Sequence, residues 1–96
     1  MTTRELLQEK REEILALAAR HKAHNVRVFG SVARGEDGPE SDVDFLVEFE
    51  DGVRLMEQLT FMVELEGLLG REVDVCSLER LEPPIQEQAR KEAAVL

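Results

Sequence analysis

Three aspartates and a glycine-serine pair are the residues of this chain best suited to chemistry. Ten residues separate Gly30-Ser31 from Asp42-x-Asp44, and Asp74 lies further along. Carboxylates are hard oxygen ligands for divalent cations, and a glycine before a helix start leaves backbone N–H groups available for a phosphate. Two metal ions can clamp the attacking and leaving oxygens of an in-line displacement at phosphorus. The spacing therefore predicts a site where a phosphate and divalent metals meet.

The first half of this pattern needs a strand that ends in a tight turn. Val26–Phe29 is typical of a short strand ending at Gly30, and Ser31–Arg34 is typical of one helical turn stopped by Gly35. A helix start directly after a strand carries unpaired N–H groups and a partial positive charge. We expect Gly30 to let the backbone approach a phosphate and the Ser31 hydroxyl to add a donor.

The second half needs a strand that presents two carboxylates on one face. The run Ser41–Phe49 favours a strand, on which Asp42 and Asp44 share a face and lie about 6.6 Å apart. A third carboxylate is expected from Asp74, in the middle of the strand-like run Glu72–Cys76. Because two aspartates on one strand face repel each other, we favour metal binding over the alternative of a solvated edge strand.

Further candidates surround this core of the site. Glu72 shares a strand face with Asp74 and is its closest rival as third carboxylate. Arg34 lies one helical turn from Ser31 and can reach the phosphates, with pairing to a nearby loop carboxylate as the alternative. Ser41 is added as a candidate nucleotide contact.

Together, Gly30-Ser31, Asp42-x-Asp44 and Asp74 resemble the signature of the DNA polymerase β type nucleotidyltransferases. The short chain is most similar to the minimal nucleotidyltransferases that pair with HEPN-domain toxins, and the resemblance covers nearly all of it. It implies an α+β (two-layer α/β) fold with a small mixed β-sheet, helices on one side and the polymerase β palm-like arrangement.

The same resemblance implies a mechanism. Asp42 and Asp44 are expected to hold two Mg²⁺ ions, while Gly30 and Ser31 fix the β- and γ-phosphates of ATP or another nucleoside triphosphate. Asp74 completes one metal shell near the acceptor hydroxyl and helps to remove its proton.

The resemblance also implies a cellular function, that of an antitoxin that transfers AMP to a tyrosine of its HEPN toxin. Two alternatives stay open. One is a nucleotidyltransferase of a small hydroxylated molecule, and the other is a non-catalytic module that neutralises its partner by contact.

Length, charge and cysteine content limit the number of domains, the kind of partner and the cell compartment. The 96 residues predict a single domain, 1–96, without room for an acceptor-binding domain, and the resemblance implies that it is a minimal nucleotidyltransferase domain. A net charge of −9 disfavours nucleic acid and anionic membranes and favours a positively charged protein partner. The single cysteine, Cys76, predicts a reducing cytoplasm, and no apolar run approaches the roughly 18 residues of a membrane span.

The remaining elements frame the site. A first helix is predicted through about Arg20, a second over Val53–Leu69, and a third over Pro84–Glu92, followed by a short edge strand at Ala94–Leu96. The apolar stripe of the second helix is wider than one sheet contact needs, which indicates either self-association or partner binding, or a broad core contact.

Three residues with reactive side chains, His21, His24 and Cys76, are expected to have structural roles only. His21 and His24 follow the first helix and are predicted to be turn residues. Cys76 has no histidine placed beside it by sequence and is predicted to be a small buried residue.

Overall fold

The computed structural model describes residues 2–30, 32, 35 and 42–96. These residues form four helices and four strands, beginning with two helices and then two strands, and a 3₁₀ turn at Leu78–Arg80 follows the third strand. The helices are α1 Thr3–Glu9, α2 Arg11–Arg20, α3 Leu55–Leu69 and α4 Pro83–Glu92. The strands are β1 Ala23–Phe29, β2 Val43–Phe49, β3 Val73–Ser77 and β4 Ala94–Val95.

The strands form one mixed sheet in the order β3-β2-β1-β4. Strand β2 runs antiparallel to β1 and parallel to β3, and β4 pairs antiparallel with β1. The mixed sheet confirms the predicted α+β fold class. It also places β2, which carries Asp44, between two hydrogen-bonded neighbours.

The hydrophobic core lies between one face of this sheet and helices α1, α2 and α3. Alternate residues of β2 point into it, and Val43, Phe45 and Val47 have no exposed surface. Phe61 of α3 is equally buried and packs edge-on against the Phe49 ring, with ring centroids 6.1 Å apart. The remaining β2 side chains, including Asp44, are thereby directed to the opposite face.

The first helix is broken, and the prediction of one continuous helix through Arg20 is wrong. Lys10 (φ −96°, ψ 7°) separates α1 from α2. The buried stripe has an apolar residue at Leu7 and again at Ile14, but Arg11 occupies the turn between them. The Arg11 Nε donates to the Leu96 carbonyl oxygen at 2.9 Å, so a polar and exposed residue stands where the buried stripe would continue.

The later elements follow the sequence closely. Helix α3 ends at Gly70, which has the left-handed φ of +66° expected of a helix C-cap. Prolines open α4, and the predicted edge strand is present as β4. Four large apolar side chains of α3 remain exposed, so a broad core contact does not account for its wide stripe: Leu55, Met56, Leu59 and Val63.

His21 is more than the ordinary turn residue that we predicted. It ends α2 but is only 8% exposed, and its Nε2 lies 2.6 Å from Glu64 Oε2 on α3. Its ring also packs against Phe61 at 5.7 Å. His24 is exposed and lies in β1, 2.8 Å from a carboxylate oxygen of Glu50.

Over the described residues, the helices are too short and too polar to cross a membrane.

Candidate active site

Strand register brings two of the predicted carboxylates together. Asp44 of β2 is paired directly with Asp74 of the parallel strand β3. Residues that are paired across neighbouring strands project to the same side of a sheet, so both carboxylates lie on the face opposite the core helices. Sequence alone had placed Asp74 on a strand, and the register now places it beside Asp44.

Gly30 makes room for this carboxylate pair. It directly follows β1, whose last residue, Phe29, is paired with Asp44. Its φ is +76°, and a Cβ added to it would lie 2.7 Å from Asp44 Oδ2. The turn therefore forms a cradle for the carboxylate that any other residue type would fill.

The carboxylates of Asp42, Asp44 and Asp74 lie close enough to repel one another. Burial raises the pKa of Asp44 above its usual range, and the charges of Asp74 and Asp42 raise it further. A carboxylate with a raised pKa among like charges is stabilised when a cation is bound between them. The arrangement therefore fits a cation-binding role better than a solvated strand face.

Glu72 joins the site next to a different aspartate. A hydrogen bond with the Asp42 carboxyl group, followed by the charge of that group, raises the pKa of Glu72. The Val43 N–H donates to the Glu72 carbonyl oxygen at 2.9 Å, which holds the two strand starts together. Glu72 and Asp74 are thus not rivals for one place, because Asp74 pairs with Asp44 and Glu72 approaches Asp42.

The predicted nucleotide contacts Ser31, Arg34 and Ser41 lie outside the described residues. In the part of the chain that is described, no three His, Cys, Asp or Glu side chains already form a metal-ligand set. The donor chemistry nevertheless fits Mg²⁺, which is usually bound by one or two carboxylates together with substrate phosphates and waters. Asp44 and Asp74 supply such a pair, and Gly30 accommodates the Asp44 carboxylate at the end of β1.

A groove lies next to the carboxylates on the same face of the sheet. It has a volume of about 320 Å³ and runs between the sheet and α4. Helix α4 therefore covers part of the face opposite the other three helices, and the prediction of helices on one side holds for α1, α2 and α3 but not for α4. Its lining is Phe29, Leu46, Cys76, Leu81, Ile85, Gln88, Ala89 and Glu92. We call it the α4 groove. Burial raises the pKa of the Cys76 thiol, which agrees with a non-nucleophilic residue, although Cys76 is only partly buried.

Comparison with known proteins identifies the family. The profile described as polymerase beta, nucleotidyltransferase matches residues 12–96. A protein of Methanocaldococcus jannaschii, provisionally named a protein adenylyltransferase, is 34% identical over 91% of this chain and 94% of its own. The protein adenylyltransferase MntA of Thermococcus cleftensis is 35% identical over 84% of this chain and 90% of its own.

Solved structures show the same fold. One described provisionally as a minimal nucleotidyltransferase superimposes with a TM-score of 0.86 at 50% identity, covering 96% of this chain and 94% of that one. A toxin-antitoxin crystal structure with AMP-PNP gives a TM-score of 0.75 at 21% identity, covering 88% of this chain and 69% of that one. At that lower identity the likeness concerns the fold alone.

These findings confirm the resemblance drawn from Gly30-Ser31, Asp42-x-Asp44 and Asp74, and with it the prediction of a nucleotidyltransferase enzyme. The matched profile spans both the Gly30 turn and the paired carboxylates. The chain belongs to the polymerase β nucleotidyltransferase family.

Proposed function

We propose that this nucleotidyltransferase transfers AMP from ATP to a tyrosine hydroxyl of a HEPN-domain toxin and thereby acts as its antitoxin. The observation that carries the chemistry is the pairing of Asp44 with Asp74 against the Gly30 turn. The acceptor class is supported by relatives named protein adenylyltransferases, which this chain matches over nearly their whole length. The tyrosine and the HEPN partner come from the resemblance.

Each residue of the site has a role in this proposal. Asp42, Asp44 and Asp74 would hold two Mg²⁺ ions, which would supply positive charge against the negative charge on the phosphoryl oxygens. Gly30, with Ser31, positions the β- and γ-phosphates, and Arg34 and Ser41 are proposed as further nucleotide contacts. These positions orient the α-phosphorus toward the acceptor hydroxyl.

The transfer step then needs one base. The acceptor oxygen forms a bond to the α-phosphorus while the bond from that phosphorus to the bridging oxygen breaks and pyrophosphate leaves. Asp74 is exposed and lies on the edge strand β3, so a hydroxyl from another molecule can reach it. We assign Asp74 to accept the proton that the hydroxyl loses.

A protein is the acceptor that the relatives named protein adenylyltransferases support. The net charge of −9 favours a partner with a basic surface. The single cysteine agrees with a cytoplasmic setting. A toxin-antitoxin structure with AMP-PNP shares the fold, which supports a nucleotide and a toxin as the two ligands.

A second function is favoured by one observation. Leu55, Met56, Leu59 and Val63 leave an apolar surface exposed on α3, away from the carboxylates. Such a surface suits neutralisation of a partner by contact alone. Transfer to a small hydroxylated molecule has no comparable support among the described residues.

Labelling separates these functions. The protein and its co-purified partner are incubated with Mg²⁺ and ATP labelled at the α-phosphate, and label on the partner is measured. We expect Asp42→Asn with Asp44→Asn to abolish labelling, while Asp51→Asn, an exposed aspartate in the turn after β2, preserves it. Neutralisation of the partner without label in the unmodified protein would exclude the catalytic proposal and leave the contact function.

A further inference from the structure

We propose that the α4 groove binds the nucleobase of the nucleoside triphosphate. This inference rests on the proposed function, because it takes the α-phosphate to lie at the carboxylate pair. It assigns a place to the part of the substrate that the carboxylates and the Gly30 turn leave unbound.

The groove is continuous with the carboxylate pair. Leu46 and Cys76 are paired across β2 and β3, and each follows its aspartate by two residues. Side chains two apart on a strand share a face and are separated by about 7 Å. The Leu46-Cys76 pair therefore forms the next step along the same face, at a distance that a ribose spans.

The direction of the strands gives this ligand an orientation. Because β1 is antiparallel to β2, Gly30 lies beyond Phe29 toward the start of β2, whereas Leu46 lies toward its end. The carboxylates stand between the two. A nucleotide with its outer phosphates at Gly30 and its α-phosphate at Asp44 therefore has its base directed to the groove.

The lining has the character of a site for a planar, partly apolar ring. Leu46 is 1% exposed and forms the floor, while Ile85 on α4 is 51% exposed and gains burial when a ring covers it. At its polar edge, Gln88 Nε2 donates to Glu92 Oε1 at 3.2 Å. This bond leaves the Gln88 amide oxygen and the second Glu92 oxygen to accept from an exocyclic amino group. Apolar walls with a few placed polar atoms are usual for small-ligand sites, and 320 Å³ is within their range.

Cys76 provides a direct probe, because it lines the groove and is the only cysteine of the chain. Its alkylation by N-ethylmaleimide is followed by mass spectrometry with Mg²⁺ alone, with Mg²⁺ and ATP, and with Mg²⁺ and tripolyphosphate. With ATP at about ten times its Kd, we expect alkylation to slow about tenfold. Tripolyphosphate has no base, so we expect it to leave the rate near that of Mg²⁺ alone.

A filled groove provides the second measurement. Ala89→Leu adds bulk inside the groove, and we expect it to weaken ATP binding about tenfold while tripolyphosphate binding is unchanged. Ala19→Leu is the matched control, because Ala19 is an exposed helical alanine on α2, outside the groove. The control is expected to bind ATP as the unmodified protein does.

The outcomes separate this inference from the proposed function. ATP binding and transfer without protection of Cys76, or equal protection by tripolyphosphate, would overturn the groove and leave the function standing. Protection that appears only with the acceptor protein would assign the groove to the acceptor instead. Absence of both ATP binding and transfer would overturn the groove and the function together.

Discussion

Replacing Gly30 by alanine adds one methyl group at a point where the main chain faces the Asp44 carboxylate. The added Cβ would lie 2.7 Å from Asp44 Oδ2, which is closer than two such atoms can approach. The residue would also keep the left-handed φ of +76° that glycine adopts without strain. The substitution therefore combines a backbone cost with displacement of one carboxylate.

The two effects have different sizes. Alanine in the left-handed region costs about 1–2 kcal/mol, and each kcal/mol lowers the Tm of a domain of this size by about 4–8 °C. The close contact adds little to this cost, because Oδ2 is at the end of a side chain that can rotate away. For the rate of transfer, displacement of the carboxylate should matter more than the backbone strain, since misplacing a reacting group by about 1 Å can lower the rate about 100-fold.

Gly70→Ala is the matched control. Gly70 has a similar φ of +66°, but an added Cβ would meet nothing within 4 Å. We expect both variants to lose a similar amount of thermal stability in a melting experiment. Only Gly30→Ala should lose AMP transfer, by about 100-fold, when labelling is measured well below the Tm of both.

Similar activities of the two variants would contradict this prediction. If Gly30→Ala transfers AMP within about threefold of Gly70→Ala, then displacement of the Asp44 carboxylate does not limit the reaction. If both variants lose activity equally, then backbone strain rather than the contact with Asp44 is responsible.

Three further predictions concern stability. Because the pKa of Asp44 is raised in the folded protein, the stability that this group contributes is present at low pH and is lost as the pH rises through the folded-state pKa. Asp44→Asn should remove this loss and stabilise the metal-free protein by roughly 0.2–1 kcal/mol at neutral pH. The free energy of unfolding is measured with urea in the presence of a chelator, at acidic and at neutral pH. Equal stability of the two proteins across that pH range would contradict it. Adding Mg²⁺ should raise the Tm of the unmodified protein but not that of Asp44→Asn with Asp74→Asn, and an equal rise in both would place the ion elsewhere. Phe61→Ala should cost about 3–5 kcal/mol because Phe61 is fully buried, whereas Val63→Ala, at 59% exposed, should change the free energy of unfolding by less than about 0.5 kcal/mol.

Local patterns predicted most of the elements. Alternation along Val43–Phe49 gave the strand and the face of Asp44, and Gly70 and the paired prolines marked where α3 ends and α4 begins. These features depend on backbone preferences and on side-chain periodicity, both of which are properties of short segments.

Contacts between distant segments cannot be predicted from such local patterns. The pairing of Asp44 with Asp74 depends on the register of two strands separated by α3, and the approach of Glu72 to Asp42 depends on the same register. The hydrogen bond that Arg11 makes next to the break at Lys10 is to Leu96, 85 residues away along the chain. The role of Gly30 as a cradle for Asp44 likewise needed the β1-β2 register.

The strand order has a consequence for how the site withstands local opening. Asp44 is on β2, which is hydrogen-bonded on both sides, whereas Asp74 is on β3, which is paired only with β2 in the described sheet. Edge segments open at lower free energy than interior ones, so β3 amides should exchange with solvent before those of β2. The two halves of the carboxylate pair thus belong to segments of unequal local stability. Release of β3 would separate them while the rest of the chain stays folded, and catalytic competence would then be lost below the temperature of global unfolding.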